Sequence, residues 1–367
     1  MTKMKKCFAD VLTIVNGKNQ RKVENPNGKY PIYGSGGLMG YADDYLCEAN
    51  TVIIGRKGTI NKPIYITEKF WNVDTAFGLT SNKDVLIPKY LYYFCCKYDF
   101  QQHNKTVTIP SLTKADLLQI EIEVPSIEEQ ENVVAKIGQI DLILEKYKFM
   151  IENIDSLIKS RFVEMFGDFD DETLFYIEQL DCLADIVSGI TKGRKTKETK
   201  LREVPYMAVS NVKDGYIDWT TVKTIMATEK EIEQYRIHPK DILMTEGGDP
   251  DKVGRGALIN EVPEDCIHQN HIFRVRLNEK VNPIYFEAYL QQPFTKRYFL
   301  KSAKQTTGIA SINMTQLRNT PVIVPPIELQ NQFADFVALT DKSKLAVQKS
   351  IEVLQTLKDS LMQEYFG

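Results

Sequence analysis

At 367 residues, 43% hydrophobic and 26% charged, the chain is long and apolar enough for two globular cores joined by connecting elements. Its net charge of -3 does not advertise a nucleic-acid binder, although a whole-chain sum hides local asymmetry. No run of about 18 apolar residues occurs, and the opening MTKMKKCFAD has no apolar stretch behind its charges. Neither a membrane span nor a secretory leader is expected, and the cytoplasm is the expected location.

In chain order, residues 1–22 carry six Lys/Arg against Asp10 alone. A glycine-rich stretch, GSGGLMG at Gly34–Gly40, and an apolar strand, Val52–Ile54, follow. GSGGLMG lacks the lysine of a phosphate-binding loop and has Met39 where a dinucleotide fingerprint needs its third glycine. Residues 126–165 tilt acidic, with eight Asp/Glu against five Lys/Arg. Residues 188–202 are basic again: Lys192, Arg194, Lys195, Lys197, Lys200 and Arg202 face only Glu198. Basic domains beside an acidic helix suit phosphate contact in one place and protein contact in another; scattered solvated charge is the alternative. The six cysteines form no CxxC pair and are read as reduced and mostly buried. His268 and His271 lie three apart in a segment read as strand, where they would point to opposite faces, which argues against a metal pair.

The organising feature is an internal repeat. Residues 106–167 match residues 306–367 at a constant offset of 200. Seventeen identities recur without a gap: Thr106, Ile109, Ser111, Leu117, Val124, Pro125, Ile127, Glu128, Gln130, Asp141, Ile151, Glu152, Leu157, Ser160, Glu164, Phe166 and Gly167. Upstream the likeness is weaker. CFAD at Cys7–Asp10 answers CLAD at Cys182–Asp185, KYPIYG at Lys29–Gly34 loosely answers VPYMAV at Val204–Val209, and Pro88–Phe94 answers Asn282–Leu290. The second copy is longer, mostly between Lys192 and Arg255. The predicted order is a domain at 1–125, a long helix at 126–167, a domain at 168–325 and a long helix at 326–367.

After Pro125, Ser126 and Glu129 make a capping box. Val133, Ile137, Ile140, Leu144, Tyr147, Ile151, Ile154 and Ile158 then step by four and three, an apolar heptad seam. The second copy continues it through Phe333, Val337, Val347, Ile351 and Leu354, with Thr340, Lys344 and Lys358 as polar interruptions. Antiparallel packing of the two helices is the simplest arrangement, with the domains at opposite ends and an approximate twofold between them. Forty residues span roughly 60 Å, enough to hold two readers over DNA sites one turn apart, roughly 34–36 Å. An ordinary dimerisation coil is the alternative reading of the heptads.

Four segments carry a family resemblance: TIPSLTKADLLQIEIEVPSIEEQ (Thr108–Gln130), TTGIASINMTQLRNTPVIVPPIELQ (Thr306–Gln330), YPIYGSGGLMGYADDY (Tyr30–Tyr45) and VIIGRKGTINKPIY (Val52–Tyr65). Over essentially its whole length the chain resembles the specificity (S) subunits of type I restriction-modification systems. The resemblance implies an α+β fold with two mixed α/β target recognition domains in tandem, separated by two long helices packed as an antiparallel coiled coil with pseudo-twofold symmetry. It implies double-stranded DNA as ligand, each domain reading half of a bipartite target while the helices set the spacer and dock two methyltransferase (M) subunits. Restriction (R) subunits can join these. Methyl transfer, translocation and cleavage would belong to those partners, leaving this chain without catalytic, cofactor or metal residues. The residues agree in one respect: the only Pro-Pro, Pro325-Pro326, follows Val324 and precedes Ile327, unlike the Asp/Asn/Ser-Pro-Pro-aromatic pocket of adenine methyltransferases. The competing classes are a stand-alone DNA-modifying enzyme fragment and a coiled-coil scaffold without DNA.

Phosphate contacts position a protein and base-edge contacts specify. In the first domain the candidates are Lys18, Asn19, Gln20, Arg21 and Lys22, the turn Ser35, Gly36 and Gly37, and Arg56 and Lys57 after the apolar strand. In the second they are Lys192, Arg194, Lys195, Lys197, Asn211, Lys213, Lys252, Arg255, Gln269, Asn270 and His271. Lys105 in the first copy and Lys304, Gln305, Thr306 and Thr307 in the second, just before or at the start of the repeated frame, are candidates too. For the candidates within the two domains the competing account is an exposed side chain touching nothing, and for Lys105 and Lys304–Thr307 it is simple turn chemistry.

Overall fold

The structure is a computed structural model and describes residues 4–104, 110–168, 175–195, 200–306 and 308–367. The chain divides into two compact units, one of residues 1–149 with 347–367, the other of residues 150–346. Sequence repeat and compact unit therefore do not coincide, because each unit takes part of both long helices.

The first unit is built on a four-stranded antiparallel sheet in the order Leu12–Asn16, Ala76–Ser81, Thr51–Gly55, Ile64–Ile66. Its central strand Thr51–Gly55 is buried throughout, which is why it reads as a continuous apolar run rather than an alternating one. A separate three-stranded sheet runs Gly37–Ala42, Tyr30–Gly34, Trp71–Asn72, the last pair parallel. Met4–Cys7 pairs antiparallel with Glu121–Val124. Phe8, Val52, Ile54, Phe77, Leu79, Leu91 and Phe100 form the core, with the helix Pro88–Lys97 against it.

The second unit repeats this plan with other side chains. Its four-stranded sheet runs Ala184–Ser188, Ile272–Leu277, Ile242–Thr245, Gly256–Leu258, and its three-stranded sheet Lys223–Ala227, Arg202–Met207, Ile267–His268, again with one parallel pair. Tyr176–Gln179 pairs with Pro321–Val324 as Met4–Cys7 does with Glu121–Val124. A further small sheet joins Gly247–Gly248 to the hairpin Lys304–Thr306 and Ile309–Ser311.

The chain also carries two helices of forty residues, Ile127–Phe166 and Ile327–Phe366. Ser126 and Glu129 cap the first reciprocally, the Glu129 N–H donating to Ser126 Oγ and the Ser126 N–H to Glu129 Oε2, each at 3.2 Å. Gly167, at φ +90°, ends it in the left-handed region. The repeated glutamines lock each helix start to its unit. Buried Gln130 accepts from the Ile87 N–H (2.8 Å) and donates to the Val85 and Pro125 carbonyls. Buried Gln330 accepts from the Asn282 N–H (2.8 Å) and donates to the Lys280 and Pro325 carbonyls.

Within the first unit, Lys136 donates to Tyr365 (3.1 Å) and Lys358 pairs with Asp141 (2.6 Å), so rising numbers on one helix meet falling numbers on the other. Within the second, Asp155 pairs with Lys344 (2.6 Å) and the Phe162 ring packs edge-on against Phe333 at 5.5 Å. Val133, Ile137, Ile140, Leu144 and Phe333 are buried, while Tyr147, Ile151, Ile154, Ile158, Val337, Val347, Ile351 and Leu354 are half-buried. The closing phenylalanines are exchanged between copies: Phe366 packs on Tyr90 (4.9 Å) in the first unit, and Phe166 on Tyr285 (4.8 Å) in the second.

Three local readings change. Only Cys47, Cys95 and Cys266 of the six free cysteines are buried; Cys96 and Cys182 are exposed and Cys7 is half-buried. His268 ends a strand, whereas Asn270 and His271 lie in the turn that follows, so strand alternation does not relate the two histidines. The match of KYPIYG to VPYMAV shifts by one residue: Tyr33 pairs with Asn72 and Met207 with His268, which aligns Pro31 with Pro205.

Candidate nucleic-acid interface

In each unit, strand ends from both sheets converge on one four-residue loop. In the first unit it is residues 72–75. The Lys18 N–H donates to the Asn72 carbonyl (2.9 Å), the Val73 N–H to the Tyr33 carbonyl (3.0 Å), and the Arg56 N–H to the Thr75 carbonyl (2.8 Å). In the second unit it is residues 268–271. The Ile190 N–H donates to the His268 carbonyl (2.8 Å), the Gln269 N–H to the Met207 carbonyl (3.0 Å), and the Glu246 N–H to the His271 carbonyl (3.0 Å). These matching bonds make Lys18 equivalent to Ile190, Arg56 to Glu246, and the two loops equivalent to each other.

Gly17 and Gly189 show why the approach is so close. A Cβ on Gly17 would stand 1.8 Å from the Val73 carbonyl oxygen, and one on Gly189 2.0 Å from that of His268. Only a residue without a side chain lets these backbones meet. The repeated frame contributes as well: the Leu112 N–H donates to the Arg56 carbonyl (2.9 Å) and the Ile312 N–H to the Glu246 carbonyl (2.8 Å). The identical Ser111 and Ser311 lie beside these contacts, bridged to Lys57 and paired with Gly247 respectively.

The loops turn on buried polar groups. Asn72 Nδ2 donates to the Ala76 carbonyl (3.1 Å), and His268 Nδ1 lies at the same distance from the carbonyl of Ile272, the equivalent residue. Burial, reinforced by the nearby Arg274 charge, holds His268 down to about 3, so it is neutral at physiological pH. Its neutral ring needs no counter-charge inside the core.

The candidates fall into three groups. Around the first loop stand Lys18, Ser35, Arg56 and Lys57, with Ser35 Oγ donating to the Lys57 carbonyl (3.5 Å) and Gly37 supplying φ +119° at the hairpin tip it shares with Gly36. Asn19 accepts from the Arg21 N–H (3.0 Å) in an adjoining turn that also carries Gln20 and Lys22; Lys18, Arg21, Lys22, Arg56 and Lys57 are exposed. Around the second loop stand Gln269, Asn270 and His271, where Gln269 Oε1 accepts from the Val209 N–H (3.3 Å) and His271 Nδ1 meets Glu246 Oε2 at 2.5 Å.

Other candidates are engaged in the fold. The Arg194 guanidinium makes a two-pronged pair with Glu231 (2.5 Å) and donates to the Met226 carbonyl (3.1 Å). That hydrogen bonding raises Arg194 and depresses the Glu231 carboxyl. Asn211 is buried, donating to the Asp218 carbonyl (2.8 Å) and accepting from the Ala208 N–H (3.0 Å). Lys252 pairs with Asp249, and Arg255 is half-buried, its backbone carbonyl accepting from the Thr245 N–H (3.1 Å). Lys213 is half-buried, whereas Lys192 and Lys195 are exposed. Lys304 and Gln305 lie exposed on a hairpin strand, with Gln305 Nε2 donating to the Leu300 carbonyl (3.1 Å). Thr306 ends that strand; Lys105, Lys197 and Thr307 lie outside the described residues.

Sequence reasoning passed over Thr75, Asp74 and Glu246. A signal existed: VIIGRKG and ILMTEGG are both apolar strands followed by a charged residue and a glycine. Among the described residues no group of three or more His, Cys, Asp or Glu could hold a metal ion. No described helix is long and apolar enough to cross a membrane.

The two units are mixed α/β domains built on one plan, each bringing strand ends from its sheets together at one loop. The family described as type I restriction modification DNA specificity domain matches twice, over residues 2–152 and 180–355. The chain belongs to that family. It is similar to the type I restriction enzyme MjaIX specificity subunit of Methanocaldococcus jannaschii, 24% identical over 303 residues, 76% of this chain and 68% of the relative. It is also similar to the type I restriction enzyme EcoKI specificity subunit of Escherichia coli, 19% identical over 267 residues, 67% of this chain and 57% of the relative. Across three curated relatives the match covers 44–68% of their length. Its fold is like that of a type I restriction-modification S subunit from M. genitalium, with a TM-score of 0.60 and 18% identity over 100% of this chain and 96% of that one.

Proposed function

We propose that the chain is the DNA-specificity subunit of a type I restriction-modification complex. The observation that carries this reading is the duplicated convergence of strand ends on residues 72–75 and 268–271, one frame presenting two different sets of side chains. A reader of two unlike half-sites needs that combination. Each recognition domain, 1–125 and 168–325, takes one half of a bipartite target in double-stranded DNA. Lys18, Arg21, Lys22, Lys57, Lys192 and Lys195 contact phosphates, and Ser35, Arg56, Gln269 and His271 lie nearest the bases.

The helices 126–167 and 326–367 act as an antiparallel coiled coil with approximate twofold symmetry and set the gap between the half-sites. The pairs Lys358–Asp141 and Lys344–Asp155 support that polarity. They also dock two methyltransferase subunits, with restriction subunits as further partners. Exposed apolar side chains on the helices, among them Phe149 (63%), Leu339 (65%) and Val353 (67%), support a protein partner there. Methyl transfer and cleavage then reside in those cytoplasmic partners, and this chain needs no cofactor of its own.

Mapping methylated adenines in a host carrying this chain with its methyltransferase tests the reading. Two short defined sequences separated by a fixed gap are expected. Methylation without such a pattern, or methylation by this chain alone, would refute it.

A further inference from the structure

Residues 56 and 246 occupy one structural position with opposite charge. Both directly follow the central strand of their sheet, Gly55 pairing with Ala76 and Thr245 with Ile272. Both backbones are held from two sides by the same bonds, to Thr75 or His271 and to Leu112 or Ile312. The backbone is therefore common to the two units, and what differs is what projects from it.

Arg56 is exposed, its guanidinium 5.8 Å from the Phe77 ring centroid. The Glu246 carboxylate stands against His271, whose side chain is 56% exposed, and His271 Nε2 lies 3.4 Å from Asn270 Nδ2. In the first unit the same row reads Arg56, Asp74, Thr75; in the second it reads Glu246, Asn270, His271. The two rows are held by the same main-chain bonds and differ in their hydrogen-bonding groups.

A carboxylate on a DNA-facing surface is repelled by every phosphate, and in the major groove it can accept only from the exocyclic amines, cytosine N4 and adenine N6. A guanidinium matches the O6 and N7 acceptors of guanine instead. We propose that residues 56 and 246 are the equivalent specificity-determining positions of the two domains. Arg56 takes the acceptor edge of a guanine in one half-site, and Glu246, oriented by His271, takes an exocyclic base amine in the other. This rests on the DNA-reading function proposed above.

The test uses the full chain in its native complex and duplexes in which single base groups are deleted. Purine in place of adenine and 2-pyrimidinone in place of cytosine remove the amine and separate the two bases. 7-Deazaguanine removes the guanine N7. For the wild-type protein, one amine deletion in one half-site is expected to weaken binding roughly 5- to 100-fold. Glu246→Ala should lose the same factor on the intact duplex and become indifferent to that deletion, with the other half-site read as before. Arg56→Ala should do the same for one 7-deazaguanine in the opposite half. Both substitutions leave the backbone bonds in place, and thermal melting checks the fold.

Variants that keep full discrimination at every base pair would overturn the inference while leaving the DNA-reading function standing. So would a uniform loss on all DNA with a shallower salt dependence, the mark of a phosphate contact. Should a variant fail to fold, the wild-type protein decides, since a half-site with no amine-sensitive pair overturns the role of Glu246. A wild-type complex that binds all sequences alike would defeat the parent function as well.

Discussion

His268 and Asn72 do one job with different chemistry, and the difference carries a pH signature. The unfolded chain takes up a proton on His268 below its ordinary value of about 6.5, whereas the folded chain resists until about 3. Stability from this depressed group is present above pH 6.5 and lost as the pH falls towards 3, by about 2 kcal/mol at pH 5. His268→Asn, the residue of the first unit, should flatten that part of the loss. Urea midpoints at pH 7 and pH 5 measure it, and an unchanged difference between wild type and variant would contradict the assignment. Gln130 and Gln330 belong to this scale too. Their identity across the repeat follows from the same three hydrogen bonds made in each unit, which no residue of other shape could make.

Between elements, packing outweighs charge. The polar interruptions of the seam find carboxylates, Lys344 with Asp155 and Lys358 with Asp141. The side chains of Lys344 and Asp155 are 32% and 48% exposed, so water screens the pair and Lys344→Ala should cost under about 1 kcal/mol. Phe162 is fully buried between Phe166, Tyr285 and Phe333. Its truncation to alanine should cost about 3–5 kcal/mol. Urea unfolding of the full chain compares the two, and similar losses would reverse this ranking. The basic stretch 188–202 shows the limit of counting charges: Arg194 and Arg202 are paired with Glu231 and Glu229 of the helix Glu229–Tyr235, 37 and 27 residues along the chain and invisible to a local window.

For the whole molecule, the proposed spacing device makes a quantitative prediction. Four residues inserted into each long helix, within 133–158 and 333–358, add roughly 6 Å to each. At about 3.4 Å per base pair the gap between half-sites should grow by one or two base pairs, with both half-sequences unchanged. Methylation mapping in cells reads this directly. An unaltered gap would remove the helices from that role.

The helices were legible because their signals are local: a proline break, a capping box, and apolar residues stepping by four and three. The repeat was legible because the segment common to both copies, from Thr106 to Gly167, has no insertion, and the family resemblance followed from it. What lay outside the sequence's reach is which residues meet. The equivalence of Arg56 with Glu246 and of Asn72 with His268 is set by strand pairing across tens of residues, and almost no side-chain identity marks it. The one-residue shift between KYPIYG and VPYMAV has the same origin, since register follows from long-range pairing. The exchange of Phe166 and Phe366 between units is a tertiary decision as well. Periodicity says that a helix end is apolar; only the folded chain says whose core it completes, because that depends on where forty helical residues carry it.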